Sequence, residues 1–267
     1  MYFTRSKTNH IITQSHMKTV FITGASSGIG QATAKALAPN HRLILCGRRK
    51  ERLETLAQEL NQITETHILT FDVRSKEEVF QAVASLPAAW KNIDILINNA
   101  GNAHGLSSFQ DAELEDLEAM IDINVKGLIY VTKAVLPLLL AHQRGGHIVN
   151  LSSIAGKETY ANGAVYCASK AAVESISKGL RIDLNTKGIK VTNVAPGAVE
   201  TEFSMVRFKG DQSKADQVYK GYNPLTAEDI AHAIAYTINQ PEHVQLADMT
   251  IFPKAQASGT TFYRKQE

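Results

Sequence analysis

Cysteine and tryptophan are nearly missing: two Cys and one Trp in 267 residues. Cys46 and Cys167 form no CxxC pair or Cys/His ligand spacing, which argues against a disulfide framework and a structural zinc and gives no metal site. Both lie in apolar or helical contexts, so a reducing, cytoplasmic setting is the expectation. Charge of one sign is also lacking, since 28 Lys and Arg face 26 Asp and Glu for a net +2. So small an excess argues against a polyanion surface, and no nucleic-acid partner is expected. Uninterrupted apolar runs reach only about half of the roughly eighteen residues a membrane span needs, so no membrane partner is expected. Residues 1–16, MYFTRSKTNHIITQSH, lack the apolar centre of a secretory signal and read as a flexible leader before a folded unit at 17–267.

What is present is ordinary globular composition: 44% hydrophobic, 20% charged, 17 Gly and 7 Pro. That suits one sizeable core. Short apolar runs alternate with helix-patterned segments. Strands are expected at Lys18–Thr23, 42–47, 66–71, 93–98, 146–153, 189–194 and 246–252. Between them, Leu53, Leu56 and Leu60, then Val79, Val83 and Leu86, recur at helical spacing over 49–62 and 75–90. A helical region over 112–140 should break or bend near Asn124–Gly127 and at Pro137. Another helix covers 164–186. Residues 198–223 read as a polar insertion with short helical possibilities, and Thr226 as an N-cap with Asp229 at N3. The alternation predicts an α/β fold, a doubly wound seven-stranded parallel sheet with helices on both faces.

The first turn, Thr23-Gly24-Ala25-Ser26-Ser27-Gly28-Ile29-Gly30, follows a strand and opens a helix, the context in which a glycine-rich turn holds a dinucleotide pyrophosphate. Beyond it, where an NAD site would place an acid, stand Arg48 and Arg49. Two guanidinium groups suit a 2'-phosphate, so NADP is the expected cofactor. Asp72 is a candidate acceptor for the adenine amino group with Val73 packed on the ring, while Asn98, Ala100 and Gly101 end strand four as cofactor contacts, a role compatible with an amide network holding strands four and five. Tyr166 and Lys170 share a helix face, and Ser153 ends the neighbouring strand. An ammonium beside a phenol is expected to lower its pKa and make it a general acid and base, while the serine hydroxyl stabilises developing negative charge.

At these residues the chain resembles the classical short-chain dehydrogenase/reductase family: TGASSGIG at 23–30, NNAG at 98–101, Ser152-Ser153 and YCASK at 166–170 occur in the family's order. The resemblance implies a Rossmann domain with sheet order 3-2-1-4-5-6-7, a homotetramer, catalytic Ser153, Tyr166 and Lys170 with Asn124 as the fourth catalytic residue, and cofactor contacts from Pro196, Gly197, Val199 and Thr201. The stretches ETEFSMVRFKGDQSKADQVY, LTAEDIAHAI and MTIFPKAQASG look like the NADP-dependent 3-hydroxy acid dehydrogenases, among them serine and L-allo-threonine dehydrogenases. By that likeness the substrate is a small carboxylic-acid alcohol or the corresponding semialdehyde, with Arg207 and Lys209 as candidate carboxylate partners beside Ser153 and Tyr166. A broad carbonyl reductase or a 3-oxoacyl-thioester reductase would share every catalytic residue.

Overall fold

Residues 17–265 are described by a computed structural model; the expected leader at 1–16 lies outside them. The chain runs β1 (Lys18–Thr23), α1 (Gly28–Leu37), β2 (His41–Gly47), α2 (Lys50–Leu60), β3 (Thr66–Thr70), α3 (Lys76–Ala84) and β4 (Ile95–Asn98). It continues through α4 (Leu114–Ile121), α5 (Leu128–Ala141), β5 (Gly146–Leu151), α6 (Ala164–Asp183), β6 (Ile189–Pro196), α7 (Glu202–Arg207), α8 (Gln212–Tyr219), α9 (Ala227–Ile238) and β7 (Asp248–Ile251).

All seven strands pair in parallel in the order β3-β2-β1-β4-β5-β6-β7. Alternate β1 side chains serve opposite faces, as the two-residue strand period requires. Val20 and Ile22 join Leu53, Leu56, Leu60, Ile230 and Ile234 in one core layer. Phe21 joins Ile44, Val79, Val83, Val131 and Val135 in the other. Because β1 pairs with both β2 and β4, the strand order reverses beside it, and a crevice opens at the strands' C-terminal ends.

The sequence-derived elements survive with shifted ends. The third helix stops at Ala84, and Pro87 precedes a separate turn at Ala88–Trp90. The expected irregularity at Asn124–Gly127 is a π-turn, Asp122–Gly127, whose extra residue per turn re-aims side chains between α4 and α5. Pro137 does not end α5, which runs through it to Ala141. The resulting helix Leu114–Ala141 is long and apolar enough to cross a membrane by length and composition, which counting uninterrupted runs missed. Here Val131, Val135 and Leu139 are buried in the core. The insertion at 198–223 folds into α7 and α8, and α9 starts with the expected box: Thr226 Oγ1 accepts from Asp229 N, and the Asp229 carboxylate accepts from Thr226 N.

Candidate active site

A cleft of about 640 Å³ runs along the C-terminal sheet edge, from Arg48, Asp72 and Val73 past Gly24–Ile29 to Ser153, Tyr166 and Thr201. Gly28 has φ +52°, a left-handed conformation that glycine adopts without strain. A Cβ on Gly30 would fall 2.3 Å from the Gly24 carbonyl oxygen, so only glycine lets α1 start this close to the turn. Ser27 caps α1 without a side-chain bond, and the first turn carries no acid. Its amide ends, the positive pole of the helix, are thus left to an anion in the cleft. Thr23 Oγ1 accepts from the amides of Asn99 and Ala100, both at 3.0 Å, while Asn99 Nδ2 donates to Thr23 O at 2.9 Å. These bonds lock the turn to the end of β4. With an α1 N-terminus uncapped by side chains and glycine-cleared space beside it, the residues present fit a dinucleotide.

Ala100 and Gly101 line the cleft, but Asn98 does not. Its amide donates to Thr132 Oγ1 and Asn150 Oδ1, both at 2.9 Å. Asn98 is thus the buried brace between β4 and β5 and, against the expected cofactor contact, does not reach the cleft, which Asn99 lines instead. Strand alternation decides this, and the dipeptide alone did not reveal it.

Arg48 is more than half exposed, with one long ion pair, 3.6 Å, to Asp72. Arg49 is more heavily engaged: Nε and Nη2 donate to Ser26 Oγ, Nη2 also to Ser27 Oγ, and Nη1 to Glu202 at 2.9 Å. Glu202 also accepts from Arg52 at 2.6 Å. Asp72 binds Arg74 at 2.6 Å. Burial pushes its carboxyl up, but the Arg74 bonds and the charges of Arg74 and Arg48 outweigh this and hold it below the usual carboxylate range. Its oxygens therefore serve arginines, rather than standing open for an adenine amino group.

On the other half of the cleft, Ser153 Oγ accepts from Ala155 N at 3.1 Å and faces Pro196 O at 3.5 Å. Tyr166 and Lys170 are both buried on α6. Lys170 Nζ donates to Leu151 O at 2.9 Å, and burial lowers its pKa to about 8. The expected depression of the Tyr166 phenol is not seen. Burial and the Tyr160 phenol push it well above the ordinary tyrosine range, against opposing pulls from Arg207 and the Ser153 hydrogen bond. Desolvation wins because no ionised partner fully compensates a phenolate in this pocket. Asn124 stands behind the cleft: Oδ1 accepts from Asn102 N, and Nδ2 donates to Asn102 O and Ser169 Oγ. A Cβ on Gly101 would lie 3.1 Å from both Asn124 Oδ1 and Lys170 Nζ, so Gly101 leaves these two groups facing one gap.

Pro196, Gly197, Val199 and Thr201 line the same cleft as Ser153 and Tyr166. Thr201 caps α7 by accepting from Phe203 N. Arg207, at the end of α7, donates to Tyr160 Oη at 2.8 Å, and its guanidinium carbon lies 5.0 Å from the Tyr166 ring centroid. Its buried Nε has no protein partner among the described residues. Lys209 does not line this cleft; it pairs with Asp116 at 2.7 Å beside the neighbouring hollow. The insertion thus brings one of the two candidate cations to the reacting groups. Tyr160, Phe203, Arg52 and Glu202 were not read from the sequence. They have no local motif, and Glu202 meets Arg49 across 153 positions.

Residues 18–212 match the short chain dehydrogenase family. Sulfoacetaldehyde reductase 2 of Chromohalobacter salexigens is 46% identical over 239 residues, 89% of this chain and 95% of that protein. The NADP-dependent 3-hydroxy acid dehydrogenase of Salmonella typhi is 45% identical over 250 residues, 92% of this chain and 99% of that protein. A structure described as the closed form of serine dehydrogenase complexed with NADP+ superposes with a TM-score of 0.87 at 42% identity, covering 93% of this chain and all of that one. With the family's four motifs gathered around one cleft, and with this match over most of its length, the chain belongs to the short-chain dehydrogenase family of oxidoreductases.

Proposed function

We propose that the protein is an NADP-dependent oxidoreductase that interconverts the 3-hydroxyl of small 3-hydroxy acids and the corresponding carbonyl. The observation that carries the substrate reading is the Arg207 guanidinium, which lines the cleft with its carbon 5.0 Å from the Tyr166 ring centroid. It gives a small anion a partner within one short molecule's length of the phenol. Arg48, the freer of the two arginines beyond the glycine-rich turn, supports NADP, as do the relatives that bind or use it.

A nicotinamide dinucleotide held along the cleft by the glycine-rich turn, Arg48 and Thr201 would supply the hydride acceptor for oxidation and the hydride donor for reduction at C3. Tyr166 Oη takes the substrate hydroxyl proton in oxidation and gives it to the carbonyl oxygen in reduction. Ser153 Oγ donates to that same oxygen as negative charge develops on it. Lys170, tied to Leu151 O, stands one helical turn from Tyr166 and supplies the nearby positive charge. Arg207 holds the acid group, and Phe203, with its ring 5.8 Å from that of Tyr166, helps exclude water.

Steady-state kinetics with NADP on L-serine, L-allo-threonine, 3-hydroxypropionate, a 2-hydroxy sulfonate and an uncharged alcohol of matching length tests this reading. The acids should be preferred, and Arg207→Ala should erase that preference while sparing the uncharged alcohol, because a site built to pair a charge penalises a ligand that leaves it unpaired. Equal turnover of the uncharged alcohol by the intact enzyme shifts the assignment to a broad carbonyl reductase. A homotetramer belongs to the same reading, supported by the exposed apolar Ile129 on α5 and Ile182 on α6. Sedimentation of the purified protein as a monomer would remove the tetramer.

A further inference from the structure

Glu202 opens α7 on the substrate side of the cleft, yet its carboxylate is spent on the adenosine side. Oε2 accepts from Arg49 Nη1 at 2.9 Å and Oε1 from Arg52 Nη1 at 2.6 Å. The remaining Arg49 nitrogens are committed as well, to the hydroxyls of Ser26 and Ser27 in the glycine-rich turn. Four of the five Arg49 N–H donors are therefore committed, one on Nη1 being left over, so a second anion gains a two-pronged hold on the guanidinium only if a bond is exchanged. Both partners of the pair are nearly half exposed, 42% and 46% for Arg49 and Glu202, so the exchange is open to a ligand from solvent and costs little. A phosphate monoester carries more charge than a carboxylate at neutral pH and offers three acceptor oxygens, which makes it the better partner for a guanidinium fork.

We infer that Glu202 is a determinant of cofactor specificity: its carboxylate competes with the 2'-phosphate for Arg49 and Arg52, so that cofactor recognition and the seating of α7 draw on the same two arginines. The inference rests on the NADP reading above and deepens it. NAD, which has no 2'-phosphate, cannot displace Glu202, whereas NADP can. Any displacement acts on the first turn of α7, the helix that carries Phe203 and Arg207 to the reacting groups. The lowered pKa of Glu202, caused first by its bonds from Arg52 and Arg49, agrees with a carboxylate that stays charged and in competition throughout the neutral range.

Isothermal titration of the full-length protein with 2',5'-ADP and with 5'-AMP reads this without turnover. Glu202→Gln should tighten 2',5'-ADP about three- to tenfold, the span expected from removing two exposed ion-pair competitors, and leave 5'-AMP unchanged. In the Arg49→Ala background the same substitution should give a smaller gain. Unchanged or weaker 2',5'-ADP binding by Glu202→Gln, or an equal gain for both ligands, overturns the competition. A parent protein that holds the two ligands equally overturns the NADP reading itself, and the competition with it.

Discussion

Tyr166 lies under two opposed demands, because burial against Tyr160 keeps its proton on while oxidation requires the proton to be taken up by the ionised form. At neutral pH the phenol is therefore the donor that carbonyl reduction needs. Reduction should proceed across the neutral range, and kcat/KM for alcohol oxidation should climb steadily from about pH 7 to about pH 10 as the phenolate becomes accessible. An oxidation profile flat over that interval would count against Tyr166 as the base. Tyr166→Phe should keep cofactor binding in a fluorescence titration and lose nearly all turnover, since the ring stays and the transferable proton does not. Arg48, more than half exposed and loosely paired with Asp72, should matter for one cofactor only. Arg48→Ala is expected to weaken NADP about five- to tenfold relative to NAD, a discounted value for an exposed charge-assisted contact. Equal losses for both cofactors would remove that residue from phosphate recognition.

The strands and helices were legible where a single physical demand acts on a contiguous stretch. KTVFIT, RLILCG and IDILIN are near-continuous apolar runs because parallel strands covered by helices on both faces have no wet side. Thr226 with Asp229 announced α9 because capping is a four-residue event. Removing that cap with Thr226→Ala should lower stability by about 1 kcal/mol, read as a shift of the urea midpoint at constant slope. No shift would mean that α9 is held by Ile230 and Ile234 alone. The triad and glycine-rich turn were legible because each motif is local and their order fixes the topology. What escaped was set by partners remote in sequence. Asn98 turned inward to Thr132 and Asn150 rather than to the cleft, and Lys209 paired with Asp116. The Tyr166 phenol was misread because charge spacing along α6 says nothing about how dry the pocket is.

Acid should loosen the fold through a residue far from the catalytic groups. His147 lies on β5, 4% exposed, between β4 and β6. Thr192 Oγ1 donates to Leu246 O, so at its 2.7 Å contact with His147 Nε2 it accepts, which assigns the ring proton to Nε2. Nδ1 is then a buried acceptor without a hydrogen-bond partner among the described residues. A second proton there would be a charge with no acceptor, and burial, followed by the charges of Lys190 and Lys18, lowers the pKa to about 3. In the unfolded chain the same imidazole titrates near its ordinary value of about 6.5. Above that pH both states are neutral and nothing is lost. Below it the unfolded state takes a proton the folded state refuses, so stability falls with pH until the folded pKa is reached. The loss from this residue approaches about 1.4 kcal/mol per pH unit and amounts to about 2 kcal/mol by pH 5. Buried His41, whose pKa is also lowered, first by desolvation, adds to the decline in the same direction. Asp72 and Glu202, held below the carboxylate range by arginines, contribute only at lower pH, below their unfolded values near 4. His147→Gln keeps a donor for Thr192 and has nothing to protonate. Urea unfolding of the parent and this variant at pH 7, 6 and 5 should show converging stabilities, with the parent losing about 2 kcal/mol more than the variant over that range. Parallel declines in the two proteins would show that His147 does not govern the acid limb.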